Sequence, residues 1–152
     1  MLDVVTPGPA EYLPRLDKLL PHVDVFMPND HEAELISGEH DPVRQADCFR
    51  SLGAGTVIIT QGGAGAILAS PKIRLRSGTF TMPFVDGSGG GDAFAAGYIC
   101  GMLRGEAEEG CLRIASALGA SCVRAVGTTT SVFTRGECEE FLARNSLQME
   151  RL

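Results

Sequence analysis

The sequence lacks a long apolar run, a basic surplus and a secretory leader. No window approaches the roughly 18 consecutive apolar residues of a membrane-spanning helix. The formal net charge of -6 argues against nucleic acid as the main partner, because nucleic-acid binding favours a basic surface. The N-terminus has no basic region ahead of an apolar stretch, as a secretory signal would have. We therefore predict a cytoplasmic protein that binds neither membranes nor nucleic acid.

Cysteine and histidine supply no recognisable metal or disulfide pattern. The five cysteines form no Cys-x-x-Cys pair, and their odd number favours reduced, buried thiols. The three histidines, His22, His31 and His40, do not have the spacing of metal ligands. With 152 residues and 44% hydrophobic content, the chain is expected to build one domain around one sizeable core.

The most informative segment is DGSGGGDAFAAG at 86–97. Its glycines Gly89, Gly90 and Gly91 separate an apolar stretch at 82–85, predicted to be a strand, from a predicted helix at 93–103. Glycine lets the backbone turn sharply and approach a ligand, and the free N–H groups of a helix N-terminus attract anions. Asp92 places a carboxylate where a general base for phosphoryl transfer would stand. The alternative is an ordinary turn in which Asp92 only caps the helix.

Strand and helix patterns alternate along the chain. Strands are predicted at 2–6, 23–27, 56–60, 66–69 and 73–76, and further helices at 11–20, 30–38, 41–52, 107–125 and 136–143. This order predicts an α/β fold, a three-layer α/β/α domain with a mostly parallel sheet over 1–144, followed by a frayed polar tail at 145–152. In such sheets ligands bind beyond the carboxyl ends of the strands, where Asn29, Thr60 and the glycine run fall.

Four segments together resemble the ribokinase-like (pfkB) carbohydrate kinases. The run DGSGGGDAF resembles the glycine-rich signature of that family, and NDHE at 29–32 resembles its Asn-x-x-Glu motif. TQGGAG at 60–65 resembles its Thr-x-Gly-x-x-Gly turn beside the nucleotide, and GTTTS at 127–131 resembles the loop that closes the nucleotide and cation sites. The resemblance implies ATP-dependent phosphoryl transfer to a hydroxyl of a sugar, a nucleoside or a related small molecule. ATP and Mg²⁺ are the implied cofactors, and K⁺ is a further candidate.

The resemblance also implies a role for each matching residue. Asp92 would orient and deprotonate the attacking hydroxyl, and the backbone N–H groups of Gly89, Gly90 and Gly91 would form an anion hole. Glu32 would hold Mg²⁺ through water. The nucleotide-binding residues would be Asn29, Thr60, Gly62, Gly65, Ser116 and Val126. A monovalent cation would be held by Asp86, Ser88, Ala125, Gly127 and Ser131.

The chain departs from the family pattern in composition and in extent. Gly87 stands where the family has Thr or Ser, and Gly90 where Ala is frequent, which raises the backbone entropy around the anion hole. Ordinary turn chemistry is an equal alternative for Asp86 and Ser88. The resemblance covers only the C-terminal, nucleotide-binding half of such kinases, without their N-terminal half and lid. We expect part of a truncated or split kinase, homodimeric in its full-length form. The alternatives are a non-catalytic nucleotide-binding module and an unrelated α/β domain.

Overall fold

A computed structural model describes residues 1–4 and 13–152. The predicted strand at 2–6 and the predicted helix at 11–20 therefore lie partly outside the described residues. The chain divides into two compact units. The first comprises Met1–Arg76 and Glu150–Leu152, and the second comprises Ser77–Met149.

Three short helices and one five-stranded sheet organise the first unit. The helices are α1 (Leu13–Leu19), α2 (Asp30–Ser37) and α3 (Pro42–Ser51), with 3-10 turns at Leu20–His22 and Gly62–Ala64. The strands are β1 (Val25–Phe26), β2 (Thr56–Thr60), β3 (Ala66–Ala69), β4 (Arg74–Ser77) and β5 (Met149–Arg151). Their order in the sheet is β1-β2-β3-β4-β5. The alternation of helices and strands confirms the α/β class.

The described sheet is mixed, so the prediction of a mostly parallel sheet is not confirmed. β1 runs parallel to β2, with Val25 opposite Thr56. β2 runs antiparallel to β3, with Ile58 opposite Leu68. Only the short 3-10 turn links β2 to β3, and such a link suits antiparallel strands because a parallel crossover needs about a dozen residues or more.

β2 is the buried centre of the first unit, as its β-branched sequence predicts. Its residues Val57, Ile58 and Ile59 are fully buried. Helix α3 packs against β2 and β3, where the ring of Phe49 meets that of Phe26 edge-on at 4.9 Å between centroids. Burying each large apolar side chain contributes about 1.5–3 kcal/mol, so this cluster holds the strand ends in place.

The last residues of the chain form strand β5, which corrects the prediction of a frayed tail. The backbone N–H of Leu152 donates to the carbonyl of Arg74 at 3.1 Å. Arg76 and Glu150 approach each other to 3.9 Å as an exposed ion pair. Backbone pairing depends on a free strand edge rather than on apolar side chains, and the composition of the segment does not reveal that edge.

Three helices form the second unit: α4 (Gly90–Leu103), α5 (Glu108–Cys122) and α6 (Arg135–Arg144). α4 and α5 approach very closely. A Cβ added to Gly97 would lie 2.7 Å from the Cα of Ala115, and one on Gly101 would lie 2.8 Å from the Cα of Cys111. The small residues of α4 therefore fix its position against α5.

The predicted strand at 82–85 is absent. Pro83 has no backbone N–H to donate to a sheet, and Phe84 is 74% exposed. Its neighbour Val85 instead donates its N–H to the carbonyl of Val123 at 2.8 Å. The segment before the glycine run is thus an extended loop tied to the end of α5.

All five cysteines are free thiols; Cys111, Cys122 and Cys138 are buried as predicted, whereas Cys48 and Cys100 are only half-buried. None of the helices in the described ranges combines the length and the apolar character that crossing a bilayer requires.

Candidate functional site

The glycine run forms the N-terminus of α4, and its three glycines have different tasks. Gly89 is the N-cap, with a left-handed φ of 76°. A Cβ on Gly89 would lie 2.7 Å from the Cα of Thr128, so only glycine fits there. Gly90 and Gly91 have ordinary helical φ. A Cβ on Gly91 would meet nothing within 4 Å, which leaves its surroundings open to a ligand.

Three backbone donors at this helix end are unused. The first intrahelical bond runs from the N–H of Ala93 to the carbonyl of Gly89 at 2.9 Å, and Gly90 donates to Gly87 at 3.2 Å. No side chain caps the helix, and no hydrogen bond among the described residues uses the N–H of Gly89, Gly91 or Asp92. These three N–H groups and the positive end of the helix dipole together favour an anion.

Asp92 lies in the first turn of α4 with an exposed side chain. Within the described part of the chain its carboxylate takes part in no hydrogen bond. The side chains that cap other helices behave differently, since those of Asp41 and Thr134 accept bonds from their own first turns. The structure therefore does not support the capping alternative, and the Asp92 carboxylate is available to a ligand.

A second group of candidate residues surrounds Asp86. Its Oδ1 accepts bonds from the Ser88 N–H at 3.0 Å and the Ser88 hydroxyl at 2.9 Å. Its Oδ2 accepts the N–H of Gly127 at 3.2 Å. The backbone bonds from Ser88 and Gly127, followed by the Ser88 hydroxyl, lower the pKa of the Asp86 carboxyl. Asp86, Ser88 and Gly127, three of the five candidate cation ligands, are thus brought together.

The other two candidate cation ligands have different surroundings. The Ser131 hydroxyl lies 2.7 and 2.9 Å from the carbonyl oxygens of Ser121 and Cys122, at the C-terminal end of α5, and donates its one proton to either of them. Its own carbonyl accepts a 2.6 Å bond from Arg124. Ala125 is half-buried in the next turn. Among the described residues, no cluster of three or more His, Cys, Asp and Glu side chains could hold a metal ion.

Two predicted nucleotide-binding residues of the second unit differ sharply in exposure. Val126 is 74% exposed beside Gly127, where an apolar ligand surface could cover it. Ser116 is only 4% exposed in the body of α5. The structure therefore presents Val126 to solvent and leaves Ser116 with almost no accessible surface.

The remaining candidates lie in the first unit, where Asn29 and Thr60 form a parallel β-bridge. Asn29 is also the N-cap of α2: its Oδ1 accepts the N–H of Glu32 at 2.8 Å, and Glu32 Oε2 accepts the N–H of Asn29 at 3.0 Å. Glu32, the residue predicted to hold Mg²⁺, is consequently buried. The reciprocal capping box accounts for one oxygen of its carboxylate.

Gly62 and Gly65 frame the turn that follows Thr60. Both have positive φ, at 52° and 97°, which favours glycine. The N–H of Gln61 donates to the carbonyl of Gly65 at 2.8 Å and closes the turn. A Cβ on Gly62 would meet nothing within 4 Å, so the backbone of this turn can be approached closely.

Sequence reasoning missed two residues that support these loops. Cys122 is buried between the glycine run and the 127–131 loop. Gln45 is buried on α3, and its side-chain N–H groups donate to the carbonyls of Asp30 and Glu39 at 3.0 and 2.8 Å. No local sequence signal marks either contact, because each joins segments distant along the chain.

Known proteins resemble this chain in sequence and in fold. Ribokinase of Haemophilus influenzae is 33% identical over 145 residues, covering 91% of this chain and 46% of the relative. The ATP-dependent 6-phosphofructokinase of Thermoanaerobacterium thermosaccharolyticum is 35% identical over 112 residues, covering 74% and 35%. A candidate ribokinase II of E. coli, crystallised with ATP and Mg²⁺, superposes with a TM-score of 0.77 at 28% identity, covering 86% and 42%.

The chain spans less than half the length of these relatives. The pattern of the pfkB family carbohydrate kinases matches residues 1–135, which include the glycine run, Asp92 and the 127–131 loop. This match shows that the chain belongs to the pfkB carbohydrate kinase family.

Proposed function

We propose that the protein carrying this chain transfers a phosphoryl group from ATP to a hydroxyl of a sugar, a nucleoside or a similar small molecule. The observation that carries the proposal is the N-terminus of α4, where the unused N–H groups of Gly91 and Asp92 adjoin an exposed carboxylate. Such transfer needs positioned charge rather than covalent chemistry, because its transition state is loose and highly anionic.

The N–H groups of Gly91 and Asp92 stabilise the charge that builds on the transferred group. Preorganised donors are most effective where the negative charge develops. The Gly89 backbone is wedged against Thr128, so the first turn of α4 has little freedom to move away. The N–H of Gly90 is bonded to Gly87, so Gly90 shapes the turn and supplies no free donor.

Asp92 acts as the general base toward the acceptor hydroxyl. The carboxylate is exposed and makes no hydrogen bond among the described residues, so it is free to accept the hydroxyl proton. It also orients the attacking oxygen, since a proton acceptor must lie within hydrogen-bond reach of the proton it removes.

In the first unit, the nucleotide would contact the backbone of the bridge and the turn, at Asn29, Thr60, Gly62 and Gly65. In the second unit, Val126 would offer an apolar surface for a base. Ser116 lies in the body of α5 and would reach the nucleotide only if that helix moved, because little of Ser116 is accessible. Glu32 would hold Mg²⁺ through water, since Mg²⁺ keeps several waters and binds few carboxylates. Mg²⁺ would supply charge neutralisation of the phosphates. Asp86, Ser88, Ala125, Gly127 and Ser131 would face a monovalent cation such as K⁺.

The named relatives include a ribokinase and a phosphofructokinase, so the family match leaves several acceptors open. A non-catalytic nucleotide-binding module, the alternative expected from the sequence, is not favoured by the match to the kinase family. For the full-length protein we also propose a homodimer.

The test is an ATP-consumption assay over a panel of sugars and nucleosides, with nucleotide affinity measured by calorimetry. We expect Asp92→Asn to lose about 10²–10⁴ in rate and to keep nucleotide affinity within a few-fold. Asp17→Asn, the same change on the exposed surface of α1, is the control and should match the wild type. Wild-type turnover by Asp92→Asn would remove Asp92 as the base, and nucleotide binding without turnover by any form would favour the non-catalytic module.

A further inference from the structure

Cys122, the last residue of α5, lies fully buried between two loops. Its Sγ is 3.2 Å from the carbonyl oxygen of Thr128 and 3.5 Å from that of Ser88. One loop precedes α4 and the other follows α5. The thiol therefore lies at the point where three segments of the second unit meet.

Other bonds join the same three segments and limit where the loops can move. The carbonyl of Val123, next to Cys122, accepts the N–H groups of Val85 and Asp86 at 2.8 and 3.2 Å. Asp86 in turn accepts the N–H of Gly127 through Oδ2. The backbone at the end of α5 thus holds the loop before α4. Among the described hydrogen bonds, the Cys122 thiol is the only side chain of α5 that contacts the carbonyls of both Ser88 and Thr128.

The contact is directly connected to the anion-binding end of α4. Ser88 immediately precedes the N-cap Gly89, and the Gly89 backbone lies against Thr128. A shift of either carbonyl would turn the N-cap and with it the N–H groups of Gly91 and Asp92. Misplacement by about 1 Å can cost roughly 10²-fold in rate, because catalytic donors work only in the right geometry.

We propose that Cys122 is a positioning residue for phosphoryl transfer, whose thiol holds the carbonyls of Ser88 and Thr128 and so aims the N–H donors of Gly91 and Asp92. The inference rests on the proposed function. A thiol carries one proton, which it donates to one carbonyl at a time while the large sulfur stays in contact with the other.

The competing explanation is that Cys122 is only a small apolar filler, as buried cysteines frequently are. The two explanations predict opposite orders of activity for the serine and valine variants of Cys122. Serine keeps a donor but is smaller and more polar, whereas valine keeps apolar volume and loses the donor. A positioning thiol is replaced better by serine, and a filler is replaced better by valine.

The experiment compares Cys122→Ser and Cys122→Val by kcat, by KM for ATP and by thermal melting in the protein that carries this chain. We expect Cys122→Val to lose about 10- to 100-fold in kcat, with KM for ATP changed less than about threefold. Cys122→Ser should keep kcat within about threefold even if its melting temperature falls. Cys138, buried in α6 without a thiol contact to either carbonyl, provides matched controls. Cys138→Ser and Cys138→Val should change the melting temperature without lowering kcat.

Backbone amide NMR supplies a second readout that needs no turnover. The amide resonances of Gly91 and Asp92 should shift in Cys122→Val and stay near wild type in Cys138→Val. Unshifted amides, or full kcat in Cys122→Val, would overturn the inference. If the wild type transfers no phosphoryl group, the proposed function fails, and the amide shifts still decide whether Cys122 positions the donors.

Discussion

Asp86 and Gly127 lie 41 residues apart in sequence and are joined by a 3.2 Å hydrogen bond from the Gly127 N–H to Asp86 Oδ2. The other carboxylate oxygen accepts the two bonds from Ser88. Because all three donors favour the ionised carboxylate, they lower the pKa of Asp86 below its ordinary 3.8. The junction of the two loops therefore depends on a negative charge.

The first prediction concerns acid. A carboxyl with a lowered folded-state pKa stabilises the protein fully above its unfolded pKa, and the stabilisation is lost as the pH falls through the folded-state pKa. We expect Asp86→Asn to be less stable than the wild type at pH 7, with the gap narrowing below about pH 4. Urea denaturation at a series of pH values measures it. The control Asp17→Asn should track the wild type throughout, and a gap for Asp86→Asn that is constant with pH would contradict the prediction.

The second prediction concerns the contact between α4 and α5. Gly97→Ala places a Cβ 2.7 Å from the Cα of Ala115, so the helices must move apart. Overpacking of this kind typically costs about 1–3 kcal/mol in the free energy of unfolding. The control is Gly136→Ala on α6, where the added Cβ meets nothing within 4 Å, and its stability should be unchanged or slightly higher. Equal denaturation midpoints for the two variants would show that α4 is not tightly held.

The third prediction separates strain from collision at the N-cap of α4. Gly89 and Gly38 share almost the same left-handed φ, 76° and 75°, but only Gly89 faces the backbone of Thr128. Gly38→Ala should cost about 1–2 kcal/mol for the left-handed conformation alone. Gly89→Ala should cost more, because Thr128 must also move. Chemical denaturation measures the free energy of unfolding of both variants. Equal losses would mean that the 127–131 loop moves away from the added Cβ without cost.

The fourth prediction concerns Glu32, which caps α2 and is the proposed Mg²⁺ residue. Glu32→Gln keeps an oxygen for the Asn29 N–H and removes the charge, so we expect unchanged melting and a higher Mg²⁺ concentration for half-maximal activity. Glu137→Gln is the matched control, because Glu137 forms the same capping box with Thr134 on α6. A Mg²⁺ titration of kinase activity decides it. An unaltered half-saturation point would leave Glu32 with a structural role alone.

Short-range signals in the sequence predicted much of the fold correctly. Asn29 and Gly38 bound α2 as cap and terminator, and Asp41 caps α3, because each of these residues acts on the backbone within one turn. β2 was predicted from its run of β-branched residues, whose three central side chains are buried in the structure. The family was also readable, since the glycine run and three further motifs occur in order.

Backbone pairing between segments distant in sequence could not be predicted in this way. The 82–85 segment has strand-like composition but no partner strand, whereas residues 149–151, two of which are charged, pair at the edge beside β4. The mixed direction of the sheet likewise follows from which strand lies next to which. Composition reports the burial that a segment prefers and says nothing of the hydrogen-bond partners that a distant segment provides.

For the candidate site, too, short-range features were predictable from the sequence and long-range contacts were not. The sequence by itself determined that Asp92 follows three glycines at a helix start. It also placed Asn29, Thr60, Gly62 and Gly65 in segments that resemble pfkB motifs, and the roles of these residues stay predictions. Only the tertiary structure decided that, of the three glycines in the run, Gly89 alone has a left-handed φ, that Glu32 forms a capping box, and that Cys122 joins the two loops. The physical reason is distance along the chain. A cap or a turn is set by neighbours within a few residues, whereas the contact of Ser88, Cys122 and Thr128 exists only after the helices have packed.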